Sequence, residues 1–298
     1  MKAFVLDRYG KKEQLRAAEV PEPELREDDV LIEVHATAVN LLDVKLRNGE
    51  FKLILPYRTP FVLGHDVAGV VVRVGRSVRQ FKVGDEVYAR ADDFRIGTFA
   101  ERIAVREDSV AIKPKNITME EAASIPLVGL TAWQALVDIA RLRKGQKVFI
   151  QAGSGGVGTF AIQLAKHLGA TVATTASAGN AALVQSLGAD VVIDYRQQDF
   201  EDVLRDYDMV LHSQDGKALA KSLRVLQRGG ITLDLSAIAK GYGVDLVASL
   251  LRQRGIESAL VEVGGELYGY GRKADGQPWR VLVESSPDEE ADNEGLEP

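Results

Sequence analysis

The stretch from Lys147 to Leu168 restricts what this chain can fold into more than any other. It opens with Lys147-Val148-Phe149-Ile150-Gln151-Ala152, turns through Gly153-Ser154-Gly155-Gly156-Val157-Gly158, and continues as Thr159 to Leu168. Val148, Phe149 and Ile150 make a short apolar run suited to a buried parallel strand. Val157, Phe160, Ala161, Leu164 and Leu168 recur at helical spacing and form one packing face. Strand, glycine turn and helix in that order predict a dinucleotide-binding turn, the alternative being a plain glycine-rich turn. Gly153 is expected to permit the tight turn, Gly155 to let the backbone approach a pyrophosphate, and Gly158 to let helix and strand pack closely. The first helical amides, with those of Ser154, Gly156 and Val157, would face the anion. A second strand, Thr171 to Thr175, follows Leu168-Gly169-Ala170, which is the context the motif requires.

At 298 residues the chain can bury a large core and hold two domains. Its net charge of −6 is concentrated at one end. Asp288, Glu289, Glu290, Asp292, Glu294 and Glu297 lie in the last stretch, and removing those six from the 43 acids leaves 37, equal to the 37 bases. No basic footprint for nucleic acid is present. The chain has no cysteine, which excludes disulfides, thiolate metal sites and thiol nucleophiles. Charge interrupts the first residues too early for a signal peptide, and no apolar run reaches membrane-spanning length. A cytoplasmic protein with no membrane partner is the expectation.

Residues 1–118 predict a β-rich domain, with strands at Ala3 to Leu6, Val30 to Ala36, Val67 to Val74, Glu86 to Ala89 and Thr98 to Val105. From Thr118 the pattern changes. Thr118-Met119-Glu120-Glu121 is a capping box opening a helix, and Leu130 to Ile139 predicts another. Residues 119–230 then alternate strand and helix: strands at Val191 to Ile193, Met209 to His212 and Ile231 to Leu235 are separated by helices at Asn180 to Leu187, Phe200 to Leu204 and Leu219 to Leu226. That alternation predicts an α/β fold with a doubly wound parallel sheet, its ligands at the carboxyl ends of the strands.

Leu63-Gly64-His65-Asp66-Val67-Ala68-Gly69-Val70-Val71, Val83-Gly84-Asp85-Glu86-Val87, Gly129-Leu130-Thr131-Ala132-Trp133 and Gln151 to Gly158 occur in an order that resembles the medium-chain dehydrogenase/reductases, in particular their zinc-free quinone oxidoreductases. The resemblance covers residues 1 to about 230. It implies a GroES-like domain followed by a Rossmann domain, a small-molecule quinone or activated enone as substrate, Thr131 at the cofactor, and a homodimer as one expectation. In zinc-bearing relatives a histidine at the position of His65 ligates metal alongside cysteine; without cysteines, His65 is read here as a satisfied structural histidine.

Charge narrows the cofactor. A site preferring NAD carries an acid at the end of the second strand, whereas Thr174-Thr175-Ala176-Ser177 is followed by no acid until Asp190. NADPH is therefore expected, its extra phosphate held by Thr175, Ser177 and Tyr195 through neutral hydrogen bonds, since Ala178-Gly179-Asn180 supplies no base. The other reading makes these ordinary strand-end hydroxyls. The resemblance further points to Asn40 and Tyr57 beside the nicotinamide. Hydride transfer needs positioning, a water-poor cleft and a donor to the developing oxyanion; Tyr57 is either that donor or a packing tyrosine, and Asp43 is a turn or helix-start acid.

Beyond Gly230 the likeness changes. Leu233 to Asp245, Leu260-Val261-Glu262-Val263-Gly264-Gly265-Glu266 and Gly276 to Val281 resemble the central part of the FAD:protein FMN transferase (ApbE) family, over residues 231–284. That family implies FAD near Lys240 and Glu266, and Mg²⁺-assisted transfer of FMN to a threonine. The structural alternative is a C-terminal βαβ segment that completes the sheet edge through Ile231 to Leu235, a helix from Val244 to Leu251, and a strand from Ala259 to Val263. Residues 285–298, acidic with few apolar side chains, predict a disordered tail. Three functions follow: an NADPH-dependent quinone or enone reductase, an NADPH-binding protein without turnover, or a flavin module.

Overall fold

The computed structural model describes residues 1–52, 55–214, 216–235, 252, 255–263, 266–270, 272 and 277. The first half holds β1 (Lys2–Leu6), β2 (Arg16–Glu19), β3 (Asp29–Ala38), α1 (Leu41–Asn48), β4 (Phe61–Val62), β5 (Asp66–Val74), β6 (Glu86–Arg90), β7 (Arg102–Arg106) and β8 (Val110–Ile112). Five of these strands form an antiparallel sheet in the order β7-β3-β5-β6-β8, and three form a second in the order β2-β1-β4. The near-continuous apolar run of β5 is explained by cover on both faces, with Ala68 packed against Ala122 and Ala123 on one and a separate core on the other. Val67 and Val71 are fully buried there, in a core with Val30, Ile32, Val87 and Ile103. The predicted strand from Thr98 begins only at Arg102, because the amides of Gly97, Thr98 and Phe99 bond back to Gly64 and Leu63 instead.

A buried ion pair fixes the start of β3. Asp29 is fully buried and accepts hydrogen bonds from Nη1 and Nη2 of Arg95, at 2.8 and 2.6 Å, and from the Arg26 amide at 2.9 Å. Burial alone would raise its carboxyl; Arg95 and the Arg26 amide hold it below the ordinary carboxylate range.

The second half contributes α2 (Met119–Ala123), α3 (Pro126–Trp133), β9 (Lys147–Ile150), α4 (Gly156–His167), β10 (Thr171–Ala176), α5 (Ala181–Ser186), β11 (Val191–Asp194), α6 (Phe200–Val203), β12 (Tyr207–His212), α7 (Gly216–Val225) and β13 (Leu226–Asp234). The predicted capping box opens α2: Glu121 N donates to Thr118 Oγ1, and Thr118 N donates to Glu121 Oε2. The sheet order is β11-β10-β9-β12-β13, with β9, β10, β11 and β12 parallel. The order reverses at β9, so a crevice opens beside the glycine turn, where a doubly wound sheet binds its ligand. Phe149, Ala173, Val210 and Val225 fill the core on one face.

The chain divides into two compact units, Met1–Leu233 and Asp234–Pro298. The strand predicted from Ile231 does join the parallel sheet, as the end of β13, which starts earlier than expected, at Leu226. The strand at Ala259–Val263 (β14) does not supply a sheet-edge βαβ unit. It pairs antiparallel with β15 (Glu266–Tyr270) in a two-stranded sheet of its own. Two residues separate these strands, a spacing that suits antiparallel neighbours and is too short for a parallel crossover. The expected helix from Val244 to Leu251 and the tail 285–298 lie outside the described residues. No described helix is long and apolar enough to cross a membrane.

Candidate nucleotide-binding site

The turn after β9 is stitched to the end of β10. Ala152 N donates to Thr175 Oγ1 at 3.0 Å, Gly153 N to Thr175 O at 3.0 Å, and Gly155 N back to Ala152 O at 2.9 Å. The left-handed residue of the tight turn is Ala152, at φ 52°, and not Gly153. Gly153 is required for space: a Cβ there would lie 2.0 Å from Thr174 Oγ1, a hydroxyl that donates to Ile150 O at 2.6 Å. Gly158 is likewise fixed by packing, since its Cβ would lie 2.4 Å from Ala152 O and 2.7 Å from Gly153 Cα. Gly155 differs. A Cβ on it would meet only Ala152 O, at 3.2 Å, so its open face is turned to the crevice as a pyrophosphate cradle requires. Gly155 also caps α4, whose first amides have no acceptor within the helix and suit an anion.

A cavity of about 720 Å³ opens at this turn. Ser154 and Gly155 line it, together with Gln151, Thr175, Tyr195, Asp199, Phe200 and Lys221. The structure thus brings four of the expected positions together, Ser154 and Gly155 of the glycine turn with Thr175 and Tyr195 at the strand ends, and adds Ala176, which is not among the expected ones. Gly153, Gly156, Val157 and Gly158 shape the turn from behind. Ser177 follows Ala176 without lining the cavity, and Asn180 turns its amide to Ser154 Oγ at 3.2 Å. Thr131 does not reach the cavity either; its hydroxyl donates to Leu127 O on its own helix at 2.7 Å. The helix it belongs to abuts the turn, with Val128 Cγ1 3.1 Å from where a Gly156 Cβ would be. These residues fit a dinucleotide: a backbone cradle, an adjoining cavity, and hydroxyls at the ends of β10 and β11.

Sequence reasoning missed five participants, Gln151, Ser222, His212, Asp199 and Lys221. Gln151 Nε2 donates to the buried Ser222 Oγ at 2.9 Å, which ties α7 to the end of β9. Ser222 lies 3.5 Å from Nδ1 of the buried His212. Asp199 and Lys221 line the cavity and pair at 2.8 Å. Gln151 and Ser222 stand 71 positions apart, so no local pattern could join them.

Asn40 and Tyr57, both half-buried, belong to a separate cluster around the buried Asp43, His65 and Asp66. Asn40 Nδ2 donates to Asp66 Oδ2 at 2.9 Å, and the other oxygen of Asp66 accepts Leu127 N at 2.9 Å. Leu127 lies in the first turn of α3, whose N-cap Ile125 has no side-chain acceptor, so Asp66 on β5 caps that helix from a different sheet. Asp43 is a helix-start acid as expected, with Oδ2 accepting Asn40 N at 2.8 Å, while its Oδ1 stands 2.6 Å from His65 Nδ1. His65, fully buried, is satisfied on that side only; Nε2 has no hydrogen-bond partner among the described residues, and Asp93 Oδ1 is 3.7 Å away. Tyr57 stacks on Phe61 and donates its hydroxyl to Asp93 O. Burial raises that phenol well above its ordinary range, so it stays protonated, but its proton is committed to a carbonyl.

Burial also pushes Asp66 up to about 6, despite the opposing bonds from Asn40 and the Leu127 amide. A carboxyl raised from about 4 adds stability that is complete below the unfolded value and is lost as pH rises through the folded one. Asp66→Asn keeps an acceptor for Leu127. Its stability relative to the parent should therefore improve by about 3 kcal/mol between pH 4 and 6, at about 1.4 kcal/mol for each pH unit crossed. Urea unfolding across that range measures it, and a constant difference would show that Asp66 is ionised throughout.

Lys240, the lysine of the flavin reading, lies outside the described residues, and Glu266 opens β15.

Known proteins place these features in families. The family described as alcohol dehydrogenase GroES-like domain matches residues 26–115, and the ApbE family matches residues 131–296. The second match starts well before the 231–284 expected from the sequence and overlaps the parallel sheet. An NADPH-dependent alkenal/one oxidoreductase, chloroplastic, of Arabidopsis thaliana is 41% identical over 259 residues, covering 84% of this chain and 66% of its own. The chain thus spans about two thirds of the length of that relative. A chloroplastic quinone-oxidoreductase of Triphysaria versicolor is 34% identical over 284 residues, 91% of this chain and 85% of the relative. The structure of the quinone oxidoreductase from Coxiella burnetii superposes with a TM-score of 0.75 at 34% identity, covering 84% of this chain and 80% of that one. On sequence, sheet order and glycine-turn geometry together, the chain belongs to the zinc-free medium-chain dehydrogenases/reductases of quinone oxidoreductase type, joined to a segment of the ApbE family.

Proposed function

We propose that this protein is an NADPH-dependent oxidoreductase that reduces quinones or activated enones. The observation that carries the reading is the cradle at Gly155: an open glycine face and a helix N-terminus beside a cavity with Thr175 and Tyr195 at its strand ends. When bound, a reduced nicotinamide supplies hydride to an electron-poor carbon. The chain's part is to hold the dinucleotide by the turn amides and to seat the adenosine end against β10 and β11. The end of β10 favours the phosphorylated cofactor, because Thr174-Thr175-Ala176 presents no carboxylate to the ribose. Asn40 holds Asp66, whose other oxygen caps α3, and so positions the helix that flanks the turn. Tyr57 serves as a half-buried wall of that cluster. Fluorescence titration of the purified chain with reduced nicotinamide cofactors tests this reading. NADPH should bind in the micromolar range and at least tenfold more tightly than NADH; binding of neither would overturn the function, and NADH preference would overturn the choice of cofactor.

A further inference from the structure

The sequence offers no base after Ser177, yet a phosphate on the adenosine ribose carries charge that neutral hydroxyls hold weakly. The structure supplies a cation from elsewhere in the chain. Among the described residues lining the glycine-turn cavity, Lys221 is the one base and Asp199 the one acid. We propose that Lys221 is the residue that binds the 2′-phosphate of NADPH and so sets the preference for NADPH over NADH, an assignment that rests on the NADPH reading above.

Three features place Lys221 for this task. It shares the cavity with Thr175 and Tyr195, the hydroxyls expected to meet the same phosphate. Its position is fixed from below, because the next residue, Ser222, is fully buried and accepts Gln151 Nε2 at 2.9 Å, which ties α7 to the strand that leads into the glycine turn. Its ammonium is already held by oxygen anions: Asp199 Oδ1 at 2.8 Å and Glu201 Oε1 at 3.3 Å. Both pairs are exchangeable. Asp199 is more than half exposed and gives up little when water or another anion replaces its partner. Glu201 retains Arg224, at 3.1 Å, when Lys221 turns away. An incoming phosphate therefore exchanges one anionic partner of Lys221 for a more highly charged one, while NADH offers a neutral hydroxyl and leaves the Lys221–Asp199 pair in place.

The exchange makes Asp199 an internal competitor of the phosphate, which gives two substitutions with opposite signs. In the full-length chain, Lys221→Ala should weaken NADPH binding by roughly 10- to 100-fold, the size of a lost charge-assisted hydrogen bond, with NADH affinity changed less than about twofold. Asp199→Asn should tighten NADPH by a few-fold and leave NADH unchanged. Titration with 2′,5′-ADP against 5′-AMP, followed by displacement of bound NADPH, should show the same selectivity without the nicotinamide. Equal losses for NADPH and NADH in Lys221→Ala, or no loss of NADPH, would overturn the assignment while leaving the reductase reading intact. Should Lys221→Ala fail to fold, Asp199→Asn decides: selective tightening of NADPH supports the assignment, and its absence overturns it. A parent chain that binds neither cofactor fails at the earlier step and removes the function together with this residue's role.

Discussion

Gly155→Asp is expected to abolish nucleotide binding while leaving the chain at least as stable as the parent. The two effects have opposite signs because they act on different states. In the free protein, residue 155 is the N-cap of α4, with φ −80° and ψ 168°, a conformation open to any residue. Its Cβ would meet nothing closer than Ala152 O at 3.2 Å. Aspartate is a better N-cap than glycine by a few tenths of a kcal/mol, and it complements the helix dipole. In the complex the same carboxylate occupies the place of the pyrophosphate. Two like charges about 4 Å apart at an effective dielectric near 20 cost about 4 kcal/mol, so a loss of 100-fold or more in NADPH affinity is expected. Thermal melting together with the fluorescence titration checks both halves. Retained binding would move the pyrophosphate away from Gly155. Loss of fold would show that Gly155, like Gly153 and Gly158, is fixed by packing.

Arg95→Ala should destabilise the antiparallel half by about 3–5 kcal/mol, since it leaves the fully buried carboxylate of Asp29 without its bidentate partner. The pH dependence has a definite sign. Asp29 is held below its ordinary range in the parent, so its contribution is present above the unfolded value near 4 and is lost as pH falls through the lower folded one. The gap between parent and variant in urea unfolding should therefore be widest near neutrality and narrow below pH 4. A gap under 1 kcal/mol at pH 7, or one that widens in acid, would mean that water replaces Arg95 at no cost.

Elements with an internal period could be read from the sequence, and contacts between distant residues could not. The runs that became β5 and β9 are apolar because side chains on both faces of each strand are buried, and the capping box at Thr118 announced α2 by its own side chains. Phe61–Val62 and Arg16–Glu19 are too short to show alternation, and they are strands only because β1 lies between them. The glycine turn was legible as a site, but the job of Gly153 was not. Its left-handed neighbour Ala152 carries the turn, and Thr174, across the sheet, forbids a side chain at Gly153. The same limit hid Asp66 as the cap of α3, 61 positions away, and Lys221 in the cavity. The strand at Ala259 was legible as a strand, though not as the partner of Glu266–Tyr270, because strand type is local and pairing is not.

Hydride transfer is tested most directly with NADPH dideuterated at the nicotinamide C4, mixed with the purified chain and a simple enone, and followed by mass spectrometry of the product. The saturated ketone should carry one deuterium at the β-carbon, with one NADPH consumed per product formed, and the yield should vanish in Gly155→Asp. NADPH that binds normally and is never oxidised would contradict the reductase function and leave a nucleotide-binding protein without turnover.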